Sequence, residues 1–508
     1  MKSDICVLEE PKLVFGDGNK LTDPHAGLSL FGPYDKGELG RPRDVSYALI
    51  GGASGLRAFK DFVRLLKGPL FHEKLQGGDV NIDIGRLWPP YPGFGIAFDC
   101  DLPEGTRFEY EIADNEIMAN VNDVDQHKRV FKIVNLYLEK IKMIAERDEN
   151  IKVVVCVEPD LVWKNCRPKS TIRRDDATGS RVTAKEITEL RKYAGDLFGS
   201  YEEDQYDYSI DFRRQLKARV MKYRIPVQLI RESTLSLHGG TKERKLTPLS
   251  DRAWNLSTAL YYKAGGRPWK LAGARDGVCY IGLTFRCSED NRKDPRTACC
   301  AAQMFLDTGD GVVFRGEFGP WYSPDTNEFH LSRDMARLLL KGVIETYERQ
   351  GGKSLKEVFL HARSGFTDEE LRGYQEACPD GVKLIGVRVT GRNKGVRMLR
   401  AGEFCVQRGT LWIHNKRTAY LWASGFKTDL LTYDGWEIPS PIEIRVVYGD
   451  ADIKQVSRDI LGLTKLNYNA CKIGDALPVT VAFSDKVGEI LISNPTVKQR
   501  LPNFRFYI

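Results

Sequence analysis

Arg213, Lys217 and Gln228 are the residues whose types and spacing first suggest chemistry. Arg213 and Lys217 stand four apart within FRRQLKARV, so on a helix they share one side. Apolar residues at Phe212, Leu216, Val220 and Tyr223 predict that helix, because they form the stripe an amphipathic helix buries. Pro226 closes it, since the residue before a proline resists the helical region. The apolar run 227–230 then reads as a strand, with Gln228 projecting from the face opposite Val227 and Leu229. Two cations and an amide from adjoining elements can hold a small anion. The competing reading is a solvated basic face beside a core strand.

Lys263 is the next candidate. A helix predicted over 254–263 stops at Ala264-Gly265-Gly266, a glycine C-cap signal, and a lysine in the last turn suits the helix dipole whatever else it does. Gly51-Gly52-Ala53-Ser54-Gly55 follows an apolar strand at 47–50 and precedes an amphipathic helix at 56–66. It matches neither G-x-G-x-x-G nor G-x-x-x-x-G-K-[ST], so it reads as an ordinary strand-to-helix turn, with a dinucleotide-binding enzyme as a remote rival. His25, His72, His127, His238, His330, His361 and His414 lack the spacing of metal ligands. His361 near Ser364 has no nucleophile elbow around it and reads as a strand-end histidine.

The elements that must position these residues alternate. A helical segment over 123–147 and a fully apolar strand at 151–157 continue the strand–helix order, which predicts a doubly wound parallel sheet. Residues 164–210 interrupt it with a basic piece, a helix and the acidic, tyrosine-rich stretch 201–208, and read as a surface excursion. From 277 onward three strands (278–286, 297–306, 311–316, with a turn at 307–311) precede a helix at 332–350. A strand at 357–362, a helix at 367–377 and a strand at 382–389 follow. The order βββαβαβ is that of a ribonuclease-H-like domain. More strands fill 403–448, then a helix at 451–463 and a last segment at 477–492.

The 508 residues allow two to four domains, and 42% hydrophobic with 29% charged residues fit a globular chain. Seventy-six basic against 69 acidic residues give +7, which permits a polyanionic partner without demanding one. No apolar run approaches a membrane span of roughly 18 residues, and the start MKSDICVLEEPKLVF reads as a strand, not a signal peptide. Eleven cysteines without a CxxC pair point to reduced thiols in a cytoplasmic protein.

Taken together, these residues resemble a short prokaryotic Argonaute. The resemblance rests on Arg213/Lys217/Gln228 followed by Tyr262-Lys263-Ala264-Gly265-Gly266, and on GVCYIGLTF (277–285), ACCAAQMFLDTGDGVVFRGEFGPWY (298–322) and ADIKQVSRDILGLTKLNYNAC (451–471). It implies an α/β chain: an N-terminal strand and linker over 1–40, a Rossmann-like MID domain over 41–270 carrying the 164–210 insertion, and a ribonuclease-H-like PIWI domain over 271–508. By position, Lys217, Gln228 and Lys263 match the residues that hold the 5′-phosphate of a guide strand. Arg213 stands where many members place a ring that stacks on the first guide base. Ala259 replaces a second lysine of some members. The resemblance implies that Mg²⁺ fills this deficit, between the phosphate and the C-terminal carboxylate of Ile508, with Gln228 nearby. The apolar ending Phe504-Arg505-Phe506-Tyr507-Ile508 suits a buried terminus.

Ribonuclease-H-like cleavage needs a carboxylate cluster around two metal ions. The matching positions are Thr284 and Ser364, which cannot supply that charge, while Asp485 is the one retained acid. The resemblance therefore implies a catalytically degenerate PIWI domain in a prokaryotic immune sensor. It would bind a 5′-phosphorylated guide RNA, pair it with invading single-stranded DNA, and activate a partner protein without cutting the target. The partner implied is an APAZ-containing effector in a heterodimer, carrying a TIR domain that degrades NAD, as in SPARTA-type defence, with higher oligomers on target binding and no membrane contact. The rivals are an active guided nuclease, or the same sensor coupled to a Sir2 or nuclease effector.

Overall fold

The computed structural model describes residues 4–71, 84–147, 150–180, 206, 208–240, 244–287, 297–305, 311–315, 321–323, 328–349, 354–391, 395–433, 435, 437–493, 501 and 503–508. The first half is built on a four-stranded parallel sheet in the order Glu109–Glu111, Tyr47–Gly51, Val153–Glu158, Val227–Arg231. Its two central strands, Tyr47–Gly51 and Val153–Glu158, are buried along their whole length because helices cover both faces, as parallel crossovers require. Helices Ala53–Leu66 and Leu249–Lys263 bury Phe59, Phe62, Trp254 and Leu260 in one cluster with Leu49, Val155 and Ile230. Helices Gln126–Ala145 and Phe212–Val220 bury Ile133, Tyr137, Phe212 and Leu216 in another with Ile50, Cys156 and Leu229. The expected doubly wound sheet is present.

The second half carries a nine-stranded sheet. Its centre is the parallel trio Val278–Cys287, Glu357–Ala362, Lys383–Thr390, flanked on one side by antiparallel Thr297–Phe305 and Gly311–Arg315. On the other side lie Ile442–Tyr448, Thr418–Leu421 and Thr410–Asn415. Helices Arg333–Arg349 and Asp368–Ala377 pack on one face, while Ile453–Leu463 and Val479–Ile492 pack on the other. Gly282 lets the last of these lie directly on the central strand, since a Cβ there would stand 1.7 Å from the Thr480 carbonyl oxygen. Within the nine-stranded sheet the expected βββαβαβ order is found, with a separate two-stranded pair, Trp321–Ser323 and Glu328–His330, that the sequence reading did not include, inserted before the helix Arg333–Arg349.

The first forty residues are not a free linker. Asp4–Val7 is the edge strand of the nine-stranded sheet, with Asp4 opposite Ile413, and Leu13–Val14 pairs with both Lys20–Leu21 and Lys270–Leu271. Trp269 Nε1 donates to the Lys465 carbonyl at 3.0 Å, and Cys471 N donates to Asn255 Oδ1 at 2.9 Å, so the halves share polar contacts as well as a core. Of the 164–210 excursion, the described ends are packed: Thr178 bridges to Asp123, and the Tyr208 ring stacks on Phe131 at 5.8 Å. Its expected helix, the stretch 201–205 and the turn 307–310 lie outside the described residues.

Candidate functional site

The helix Phe212–Val220 starts at Asp211, whose side chain accepts from Arg214 N at 3.1 Å. Burial of Phe212, Leu216 and Val220, with the Phe212 ring edge-on to Tyr137 at 5.2 Å, fixes the helix's rotation and therefore where Lys217 goes. Gln228 sits on a strand whose neighbours Val227 and Leu229 face the opposite core, so its amide turns toward the helix Leu249–Lys263. That helix ends as the sequence predicts. Gly265 takes φ +104°, and the amides of Gly265 and Gly266 return to the carbonyls of Tyr262 and Tyr261 at 3.0 Å each.

These elements bring the candidates to one point, joined there by the last residues of the sequence. Lys263 is 1% exposed, and its Nζ donates to Gln228 Oε1 at 2.8 Å and to the main-chain oxygen of Ile508 at 2.5 Å. Lys217 Nζ donates to the Tyr507 carbonyl at 3.3 Å. Phe504, Tyr507 and Ile508 are buried, the Phe504 ring meets Phe483 at 4.8 Å, and Tyr507 Oη donates to the Leu501 carbonyl at 3.0 Å. The apolar ending is tucked inside, as expected.

The electrostatics of this point are unbalanced. Burial, then the neighbouring Arg213 and Lys486, bring the Lys217 ammonium down to about 7. Burial, then Lys217, push Lys263 well below the ordinary lysine range. Lys217 donates to a main-chain oxygen, and Lys263 to an amide oxygen and a main-chain oxygen, so among the described residues the two ammonium groups are desolvated together without a side-chain carboxylate between them. An anion would balance their charge.

Arg213 is placed differently from its three companions. Its Nε donates to Glu158 Oε2 at 2.7 Å, at the end of the strand Val153–Glu158, and Glu158 is 1% exposed. Burial raises the Glu158 carboxyl, and the Arg213 charge offsets part of that. Arg213 and Gln228 line a cavity of about 1030 Å³, together with Ala259. Sequence reasoning passed over Glu158; the signal available was a single acid closing the apolar run VVVCVE.

No family model matches the chain, and no curated protein matches it. Solved structures do. A Clostridium butyricum Argonaute bound to a guide DNA and a 19-mer target DNA aligns over 100% of this chain and 55% of its own length, with a TM-score of 0.64 at 15% identity. An A. aeolicus Argonaute aligns over 100% and 56%, with a TM-score of 0.54 at 14% identity. The fold is an Argonaute fold.

The chain spans about half the length of these Argonautes. The four-stranded half is the MID-like part of the Argonaute fold and the nine-stranded half the PIWI-like part. On the PIWI-like sheet, Thr284 is buried on the strand Val278–Cys287 and Ser364 is half-buried just beyond Glu357–Ala362. Asp485 lies on the helix Val479–Ile492; its side chain lies outside the described set. Glu328, which sequence reasoning did not single out, accepts from the Gly365 amide at 3.1 Å and pairs with Arg388 at 3.3 Å. Among the described residues no three His, Cys, Asp or Glu gather as a metal site requires. His361 is fully buried with Nδ1 2.9 Å from Thr480 Oγ1, and burial lowers its imidazole to about 3, which fits a neutral core residue. Among the described residues no helix is long and apolar enough to cross a membrane.

Proposed function

We propose that this chain is a guide-dependent nucleic-acid sensor that binds the 5′-phosphate of a small guide RNA through Lys217, Gln228 and Lys263. The observation that carries this is a pair of desolvated ammonium groups, Lys263 on Gln228 and Ile508 and Lys217 on the adjoining Tyr507 carbonyl. A phosphate dianion relieves their mutual repulsion, and charge-assisted hydrogen bonds to it are the strong kind. Arg213, fixed by Glu158, offers a charged plane beside the first base. Ala259 leaves a charge short, and Mg²⁺ fits there. Gln228 Oε1 and the Ile508 oxygen already converge on one cation, the Lys263 ammonium, and hard oxygens are the donors Mg²⁺ prefers. When bound, the ion neutralises phosphate charge.

The PIWI-like half serves this function as a cradle for the guide–target duplex, with single-stranded DNA as target. Threonine and serine at 284 and 364 supply none of the negative charge that grips a pair of divalent ions, and the nearby Glu328 is paired with Arg388, which supports recognition without scission. Target pairing then activates a partner chain. The resemblance favours an APAZ-containing effector with an NAD-degrading TIR domain, held as a heterodimer that assembles further on target binding. The test is direct. Purified protein should bind a 5′-phosphorylated RNA more tightly than its 5′-hydroxyl form, and the complementary DNA should survive with Mg²⁺ or Mn²⁺ present. Equal affinity for the two guides sinks the pocket assignment, and guide-specific scission sinks the non-catalytic one.

A further inference from the structure

Asp35 is 2% exposed and stands beside the C-terminal end of the helix Leu249–Lys263. That is an unfavourable place for a carboxylate. Burial raises it, and the negative end of a helix dipole opposes its charge. The Arg267 guanidinium pairs with Glu38 and is a lesser influence on Asp35 than burial. A misplaced buried charge that persists calls for a use.

The use is visible in what Asp35 holds. Its Oδ1 accepts from Tyr261 Oη at 2.6 Å, and its Oδ2 accepts from Arg267 N at 2.8 Å. These two donors flank Lys263, one before it and one after it in the chain. Between them the turn is made by Gly265 at φ +104° and by Gly266, where a Cβ would stand 2.3 Å from the Tyr261 ring. Tyr34 N donates to the Pro268 carbonyl at 2.9 Å, so the N-terminal segment follows the chain past the helix end. The Tyr261 ring is itself fixed, fully buried against Phe98 at 5.0 Å.

The side chain that gains from this clamp is Lys263. Its ammonium is desolvated and repelled by Lys217, and it hangs from the last turn of a helix, where fraying begins. A cation on a flexible stem relaxes such a penalty by moving toward water unless its backbone is held. Burial and Lys217 are what shift Lys263, so Asp35 acts on it through the backbone and not through charge.

We infer that Asp35 is a positioning residue: with Tyr261 it clamps the helix end so that the Lys263 ammonium stays on Gln228 and Ile508, which makes the N-terminal segment a determinant of 5′-phosphate preference. The preference rests on the 5′-phosphate reading of Lys217, Gln228 and Lys263; the clamp does not.

The experiment compares the unaltered chain with Asp35→Asn, Tyr261→Phe and Val343→Ala. Val343 is buried under the nine-stranded sheet, and its truncation supplies a destabilised control. Thermal unfolding ranks the four proteins. The first readout is acetylation of Lys263 by acetic anhydride, followed by peptide mass spectrometry. It should be faster in Asp35→Asn and Tyr261→Phe than in the control. The second is the ratio of affinities for one RNA with a 5′-phosphate or a 5′-hydroxyl. It should fall about tenfold in Asp35→Asn, the worth of one charge-assisted hydrogen bond, and less in Tyr261→Phe. Tyr261→Phe, which removes a single oxygen, carries both readouts if Asp35→Asn does not fold. Acetylation of Lys263 no faster than in Val343→Ala overturns the clamp, whatever the RNA shows. A ratio that falls no further than in Val343→Ala overturns the link to phosphate preference. If the unaltered chain shows no such preference while Asp35→Asn still frees Lys263, the 5′-phosphate reading fails and the clamp stands.

Discussion

Replacing Lys217 by methionine should stabilise the free protein and weaken guide binding at once. Methionine keeps the length and flexibility of the side chain and carries no charge to desolvate. The Lys217 ammonium stands at about 7 in the fold against an ordinary 10.5, a distance worth roughly 5 kcal/mol at about 1.4 kcal/mol per pH unit. Lys217 as a whole is half-buried, so solvent screening cuts the expected gain to about 2–4 kcal/mol. The sign follows from proton counting. Between 7 and 10.5 the unfolded chain holds a proton that the native chain does not, so native stability rises with pH across that window, and the penalty is full below 7. The methionine variant should therefore gain most at or below pH 7 and lose its advantage as pH approaches 10.5. Urea unfolding at several pH values reads the stability, and titration with 5′-phosphorylated and 5′-hydroxyl RNA reads the affinity. The variant should lose about 1–3 kcal/mol of phosphate-dependent binding, the range for a charged hydrogen bond. A variant less stable than the parent at pH 7, or an advantage flat across pH, refutes the argument that the pocket stores unfavourable charge.

Three further outcomes follow from the same structure. Glu10→Ala should cost about 3–5 kcal/mol in urea unfolding, because Glu10 accepts from Arg408 at 2.8 Å and Lys465 at 2.7 Å and its loss leaves two buried cations unpaired. Ala259→Lys should raise affinity for 5′-phosphorylated RNA and remove most of its dependence on Mg²⁺, measured by binding with and without a chelator, because the lysine supplies the charge the ion contributes. Gly265→Ala should lower stability by about 1–3 kcal/mol in thermal unfolding, since φ is +104° and the new Cβ would lie 3.0 Å from Arg505 Nη1.

Much of the fold was legible because periodicity reports burial. The strand Glu357–Ala362, the helix Ile453–Leu463 and the helix Phe212–Val220 each carry their apolar positions at the spacing the structure buries. Asp4–Val7 was legible as a strand but not as an edge strand, because its partner Thr410–Asn415 is some four hundred residues away and pairing leaves no local mark. The same reason hid the contact of Lys263 with Ile508; the family resemblance named both residues for one pocket without joining them. Arg213 was legible as a cation and not as half of an ion pair, since Glu158 reaches its helix from the strand Val153–Glu158.

The position of the pocket gives it a consequence beyond affinity. Gln228 and Lys263 come from the MID-like half, while Tyr507, Ile508 and the charge of Lys486 come from the PIWI-like half. Arg214 pairs with Glu489 across the same seam at 3.1 Å. The two ammonium groups tie the halves together by hydrogen bonds while their like charges repel, so a phosphate bound there, as proposed, would remove the repulsion and strengthen the junction. Binding that favours one arrangement stabilises the whole by mass action, in proportion to the logarithm of ligand concentration over Kd. A guide would then act as a missing piece of the seam as well as a template for pairing. Under the proposed function, a target duplex on the PIWI-like sheet would act on a junction already made rigid, and a signal to a partner chain would begin from a defined state and not from a loose one.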